Sequence, residues 1–92
     1  MDAYADVSKS DYAVRLQELV LGIWRDVLGI AEIGLDNHFL TIGGDWLGAT
    51  RFIARARQAL GCSLDYAEVF EHRTARRLAG LLMERVTVPP VV

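Results

Sequence analysis

The sequence predicts an all-α domain, an antiparallel four-helix bundle of three long helices and one short helix with a long first loop. Three observations carry this expectation. Apolar residues recur at steps of three and four along three separate segments, the spacing of a single helical face. Residues suited to capping helices stand at the ends of those segments. No stretch alternates apolar and polar residues as a half-buried strand does.

Residues 1–9 read as an N-terminal tail, and Ser10 or Asp11 can cap the helix that follows. From Tyr12 to Leu28 the stripe is Ala13, Leu16, Leu19, Val20, Ile23, Trp24, Val27 and Leu28, with Arg15, Gln17, Glu18, Arg25 and Asp26 mostly opposite. Gly29 ends this helix. The connection from Ile30 to Asp45 is long for a compact domain, and such loops are functional or carry their own packing residues. Here Ile33, Leu35, Phe39, Leu40 and Ile42 can pin it, with Phe39 as main anchor and one helical turn around His38 to Thr41.

The loop closes on Gly43-Gly44-Asp45. Two glycines allow a sharp turn, and an aspartate ahead of a helix caps its free amides. Residue 46 is therefore expected at an exposed helix start. The second helix runs from Trp46 to Leu60, with Leu47, Thr50, Ile53, Ala54, Ala56 and Leu60 as its stripe, widened by Ala49, Phe52 and Ala59. Arg51, Arg55 and Arg57 make it positive. Gly61 ends it, and a short helix over Asp65–Glu71 carries Tyr66, Val69 and Phe70. His72-Arg73 breaks that helix. Thr74 caps the last one, from about Ala75 to Val86, with Ala75, Leu78, Ala79, Leu82 and Val86 inward. Residues 87–92, with Pro89-Pro90, read as a tail or linker, which leaves 10–86 as the domain.

Composition narrows the function. Ninety-two residues with 52 % hydrophobic content suit one small folded domain. No apolar run approaches the ~20 residues that span a bilayer, and the first ten residues lack the pattern of a secretory leader. A cytoplasmic domain with no membrane contact is expected. Cys62 is a single cysteine and reads as a small buried hydrophobe. Residues 1–45 carry three basic and eight acidic side chains, net −5, and residues 46–92 carry seven and four, net +3. Such polarity can steer a partner, or it reflects solvated helix faces of different sign. Three arginines on one helix of an acidic chain make a thin case for nucleic acid, and none is expected. No metal-ligand spacing is present, and no catalytic residue is assigned. His38 lacks a nucleophile or metal partner and reads as a surface residue, and Ser63 lacks a base.

The order of these pieces resembles a family. Asp36-x-x-Phe39-x-x-x-Gly43-Gly44-Asp45, then Leu47, the Val69-Phe70 pair, Thr74, Leu78 and Ala79, together with Trp24, Val27, Leu28 and Gly29, are similar to acyl or peptidyl carrier proteins that bind phosphopantetheine. The likeness is to those of nonribosomal peptide synthetases and spans about residues 16–83. It implies a carrier that presents a phosphopantetheine arm, attached to a serine after Gly-Gly-Asp, to adenylation, condensation or tailoring enzymes. It also implies a monomeric domain without catalysis of its own. Trp46 stands at the attachment position, where an indole offers an N–H and no hydroxyl. As written, then, no arm is expected on this chain. The resemblance places the presentation loop at Asp36, Phe39, Gly43, Gly44 and Asp45, and partner docking at Trp46, Leu47, Arg51, Arg55, Val69 and Phe70. Three readings of Trp46 stay open: an arm-less docking domain, a conventional peptidyl carrier whose serine was exchanged for Trp, and a spacer whose Trp folds back over the loop and the short helix.

Overall fold

A computed structural model describes residues 9–86. Of the expected tails, 1–9 and 87–92, residues 1–8 and 87–92 lie outside the described residues, while Lys9 belongs to the first helix. Four helices follow in order: α1 (Lys9–Leu28), α2 (Trp46–Leu60), α3 (Tyr66–His72) and α4 (Ala75–Val86). The described residues contain no strand. Helix α1 packs chiefly on α4 and then on α2, while short α3 joins α2 to α4. This is the all-α four-helix bundle the periodicity predicts. No helix in it is long and apolar enough to cross a membrane.

Helix α1 starts earlier than its capping residues suggest. Lys9 is already helical, so Ser10 and Asp11 lie within the first turn and not ahead of it. Asp11 there suits the positive end of the helix dipole. The inward face of α1 is Leu16, Val20, Ile23 and Trp24, all buried. Gly29 ends the helix at positive φ, its N–H donating to the Arg25 carbonyl at 2.9 Å.

The stripe of α2 needs correction. Its buried residues are Gly48, Ala49, Phe52 and Ala56. Leu47, Thr50, Ala54 and Ala59 face outward. Alanines lie on both sides of this helix, so the sequence offers two apolar stripes, and the bulk of Phe52 decides which turns inward. On α4, Ala75, Leu78, Ala79 and Leu82 are buried as the period predicts.

Caps fix the remaining ends. Asp65 and Glu68 form a reciprocal capping box on α3, each carboxylate accepting from the other's backbone N–H at 3.0 Å. Glu68 also binds the Arg85 guanidinium, which donates to the Ser63 carbonyl at 2.9 Å. These bonds tie the start of α3 to the end of α4. Thr74 Oγ1 accepts from Arg77 N at 3.2 Å and caps α4. Cys62 is buried.

Aromatic rings run through the core. Trp24 meets Phe39 at 5.1 Å between centroids and Phe52 at 6.2 Å, and Phe39 meets Phe70 at 6.0 Å. Phe39 comes from the loop, yet it is 0 % exposed. Burying such a side chain contributes about 1.5–3 kcal/mol, which offsets part of the entropy lost in ordering a long connection.

Candidate functional site: the loop that presents Trp46

The loop between α1 and α2 is held at several points. Gly34 N donates to Asn37 Oδ1 at 2.6 Å, and Arg76 N donates to the Leu35 carbonyl at 3.1 Å. Phe39 N donates to the Arg73 carbonyl at 2.7 Å, which fixes the ring beneath the loop. Ile42 N and Thr41 N both donate to the His38 carbonyl, closing the expected helical turn. Asp36 accepts a forked pair of bonds from Arg76, at 2.8 and 3.1 Å. That guanidinium, hydrogen-bonded to it, holds the Asp36 carboxyl below its ordinary range.

The two glycines have separate reasons to be glycine. Gly43 adopts φ 102°, which side chains with a Cβ rarely take. Gly44 lies against the buried Phe39 ring, where an added Cβ would fall 2.4 Å from ring carbons. Its N–H donates to the Phe39 carbonyl at 2.8 Å. Asp45 follows as the N-cap of α2, accepting from Gly48 N at 2.9 Å. Loop, anchor and cap thus converge on one outcome: residue 46 begins a helix at the surface.

Trp46 is 63 % exposed. One side of its indole leans on α3, edge-to-face with Tyr66 at 4.3 Å and with Phe70 at 5.5 Å. The ring therefore touches the short helix and still offers most of its surface. Leu47 and Leu40 are exposed beside it in sequence and loop. Arg51 is exposed on α2. Arg55 instead pairs with Asp26 of α1 at 2.8 Å. Val69 is 0 % exposed, so its side chain packs the core and has nothing to offer a partner; Phe70 is half-buried.

Two contacts go beyond what the sequence predicts. Tyr66 supplies the principal ring against Trp46, and its hydroxyl lies 2.6 Å from Thr50 Oγ1. Thr50, expected on the buried stripe, is exposed, and its hydroxyl donates to the Trp46 carbonyl at 2.8 Å. A tyrosine four residues before a phenylalanine places both rings on one helical face, the available signal. The hydroxyls nearest to Trp46 in sequence are engaged. Thr50 bonds Trp46 and Tyr66, and Thr41 donates to the His38 carbonyl at 2.9 Å. Trp46 itself supplies one N–H donor and no oxygen, so a phosphodiester has no atom to form on at that residue. No group of metal-ligating side chains occurs among the described residues.

A small helical bundle that presents one residue at the start of its second helix, behind a glycine turn, is the architecture of a carrier domain. The family model described as phosphopantetheine attachment site matches residues 18–82, and the chain belongs to that family. Relatives include a linear gramicidin synthase of Brevibacillus parabrevis, 41 % identical over 72 % of this chain. Phosphinothricin tripeptide synthetase PhsC of Streptomyces viridochromogenes is 44 % identical over 70 % of it. The chain spans only 1 % and 6 % of the length of these two proteins. In solved structures, the fold is similar to BlmI, a type-II acyl carrier protein of Streptomyces verticillus, with TM-score 0.81, 20 % identity and coverage of 86 % and 95 % of the two chains. It also matches McyG A-PCP complexed with phenylalanyl-adenylate, with TM-score 0.70, 25 % identity, and coverage of 73 % of this chain and 10 % of that one.

Proposed function

We propose that this chain is a carrier-type domain of a nonribosomal peptide assembly line that holds no phosphopantetheine at position 46 and works by docking. The docking surface is Trp46, Leu47, the loop from Phe39 to Asp45 with Leu40 exposed on it, and the free face of α2 with Arg51. The partners are adenylation, condensation or tailoring enzymes. The domain contributes no catalysis; it offers an exposed aromatic anchor where the family's loop presents its attachment point. One observation carries this reading: an intact Gly43-Gly44-Asp45 turn and helix cap deliver a largely exposed indole. Large aromatics of this kind dominate binding hot spots.

The competing reading is a conventional peptidyl carrier in which Trp replaces the attachment serine. Its support is the same intact loop. Incubation with a phosphopantetheinyl transferase and coenzyme A, followed by intact mass, tests the first claim. The expected result is no mass gain on this chain; a gain sinks the arm-less reading. The same assay on Trp46→Ser addresses the second. Efficient modification favours a conventional scaffold that lost its serine, while none favours a surface specialised for docking alone.

A further inference from the structure

Arg73 holds a conformation that suits glycine. It caps the C-terminus of α3 at φ 66° and ψ −30°, and it is the one non-glycine residue at positive φ among the described residues. Thr74 N donates to the His72 carbonyl at 2.7 Å across it, so Arg73 is the centre of a tight three-residue turn. Such turns strain any residue that has a Cβ. Both backbone bonds of Arg73, its N–H to the Val69 carbonyl and its carbonyl from Phe39 N, are ones glycine makes equally well. The other two helix-ending positions of this kind, Gly29 and Gly61, are glycine. What arginine adds is its guanidinium. Nε of that group donates to the Phe70 carbonyl at 3.1 Å, leaving the terminal nitrogens free to meet a ligand.

That guanidinium lines an open cleft with Asp36, His38, His72, Arg76 and Arg77. Asp36 and Arg76 neutralise each other. Arg77 has no ion-pair partner among the described residues. Arg73 and Arg77 therefore leave the cleft with a surplus of two positive charges. The first amides of α4 are not the attraction, because Arg76 N, Arg77 N and Leu78 N already donate to Leu35 and Thr74 oxygens. A compact anion such as phosphate finds no nest of free N–H groups here. Separate guanidinium groups along a cleft suit carboxylates spaced along a chain.

We propose that this corner of the loop, α3 and α4 docks an acidic segment of a protein partner. Residues 1–45 are net −5 and residues 46–92 net +3, so an acidic segment is drawn to the arginine-rich part of the chain, where Arg51 and Arg57 of α2 are the rival positions that the test reads separately. The proposal stands on residues separate from Trp46 and does not depend on the state of that position.

The test is a titration of the 15N-labelled chain with a synthetic peptide of alternating glutamate and glycine at low ionic strength, read as amide shifts. Shifts concentrated at residues 35–38 and 72–77 are expected. Arg73→Gln combined with Arg77→Gln should weaken binding by about five-fold or more, from exposed ion pairs each worth a few-fold. Arg73→Gly should weaken binding while raising the urea midpoint, because it removes the cation and the strain together; it also keeps the test valid where another variant folds poorly. Trp46→Ala should leave peptide binding unchanged. Shifts spread equally to Arg51 and Arg57, equal binding of inorganic phosphate, tighter binding of a single-stranded oligonucleotide, or unchanged affinity in the double glutamine variant would each overturn the proposal.

Discussion

Trp46 and Tyr66 meet edge to face, with ring centroids 4.3 Å apart and planes at 69°, although nineteen residues of chain lie between them. The contact joins the first residue of α2 to the first of α3. The Tyr66 hydroxyl closes a second link to Thr50, one turn along α2. Through Phe70, which touches both Trp46 and Phe39, the exposed indole is in ring contact with the core. The indole is thus placed, and it is also presented.

That placement sets the effect of removing it. Trp46→Ala loses two edge-to-face pairs worth about 0.5–1.5 kcal/mol each, so the domain stays folded with stability lowered by about 1–3 kcal/mol. Phe39→Ala deletes a fully buried ring and should cost about 3–5 kcal/mol. Urea unfolding of the two variants measures the difference. Equal losses would mean that the indole is a core residue.

Glycine substitutions should separate by environment. Gly44→Ala drives a Cβ into the Phe39 ring and should destabilise by about 1–3 kcal/mol, with the loop displaced. Gly80 is inside α4 with nothing within 4 Å of an added Cβ. Gly80→Ala should therefore stabilise by about 0.5–1 kcal/mol through helix propensity. Thermal melts of both variants check the opposite signs.

These contrasts mark what the sequence makes legible. The spans of α2 and α4, the Asp45 and Thr74 caps and the Phe39 anchor follow from signals only a few residues wide and stand in the structure, whereas α1 begins earlier, at Lys9, and the short helix expected over Asp65–Glu71 runs from Tyr66 to His72 with Asp65 as its cap. The facing of α2 does not follow from such signals. Its alanines supply two rival stripes, and only packing around Phe52 turns Thr50 and Leu47 outward. The Asp36–Arg76 pair spans forty residues and the Arg55–Asp26 pair twenty-nine, so neither has a local pattern to reveal it. A motif position alone assigns Val69 to docking, and a motif does not encode which side of a short helix is buried.

Acid should loosen the junction of α3 and α4. Hydrogen bonding to Arg85 lowers the Glu68 carboxyl from 4.5 to about 2. A depressed folded-state value means stability that is fully present above about 4.5 and lost as pH falls toward 2. The pair is partly exposed, so solvent screening limits its contribution to about 1 kcal/mol or less. Glu68→Gln should flatten that part of the stability–pH curve, measured by urea unfolding at stepped pH. An unchanged slope between pH 4.5 and 2 would assign the acid sensitivity to other carboxylates.

Docking gives the most direct separation of the roles of Trp46. If the indole is the anchor, Trp46→Ala should weaken binding to the adenylation or condensation domain of its own assembly line by about 2 kcal/mol, near thirty-fold. Tyr66→Phe keeps the ring under the indole and loses only the bond to Thr50, so its effect should be several-fold smaller. Tyr66→Ala removes the support and should fall between the two, because the indole keeps its contact area while losing its fixed orientation. Arg51→Ala should act on association rate and salt dependence, and Arg55→Ala less so, since Asp26 already holds that guanidinium. Calorimetric titration across these variants orders them. An order led by Arg51, with Trp46→Ala silent, would make α2 the docking element and the indole a bystander resting on α3.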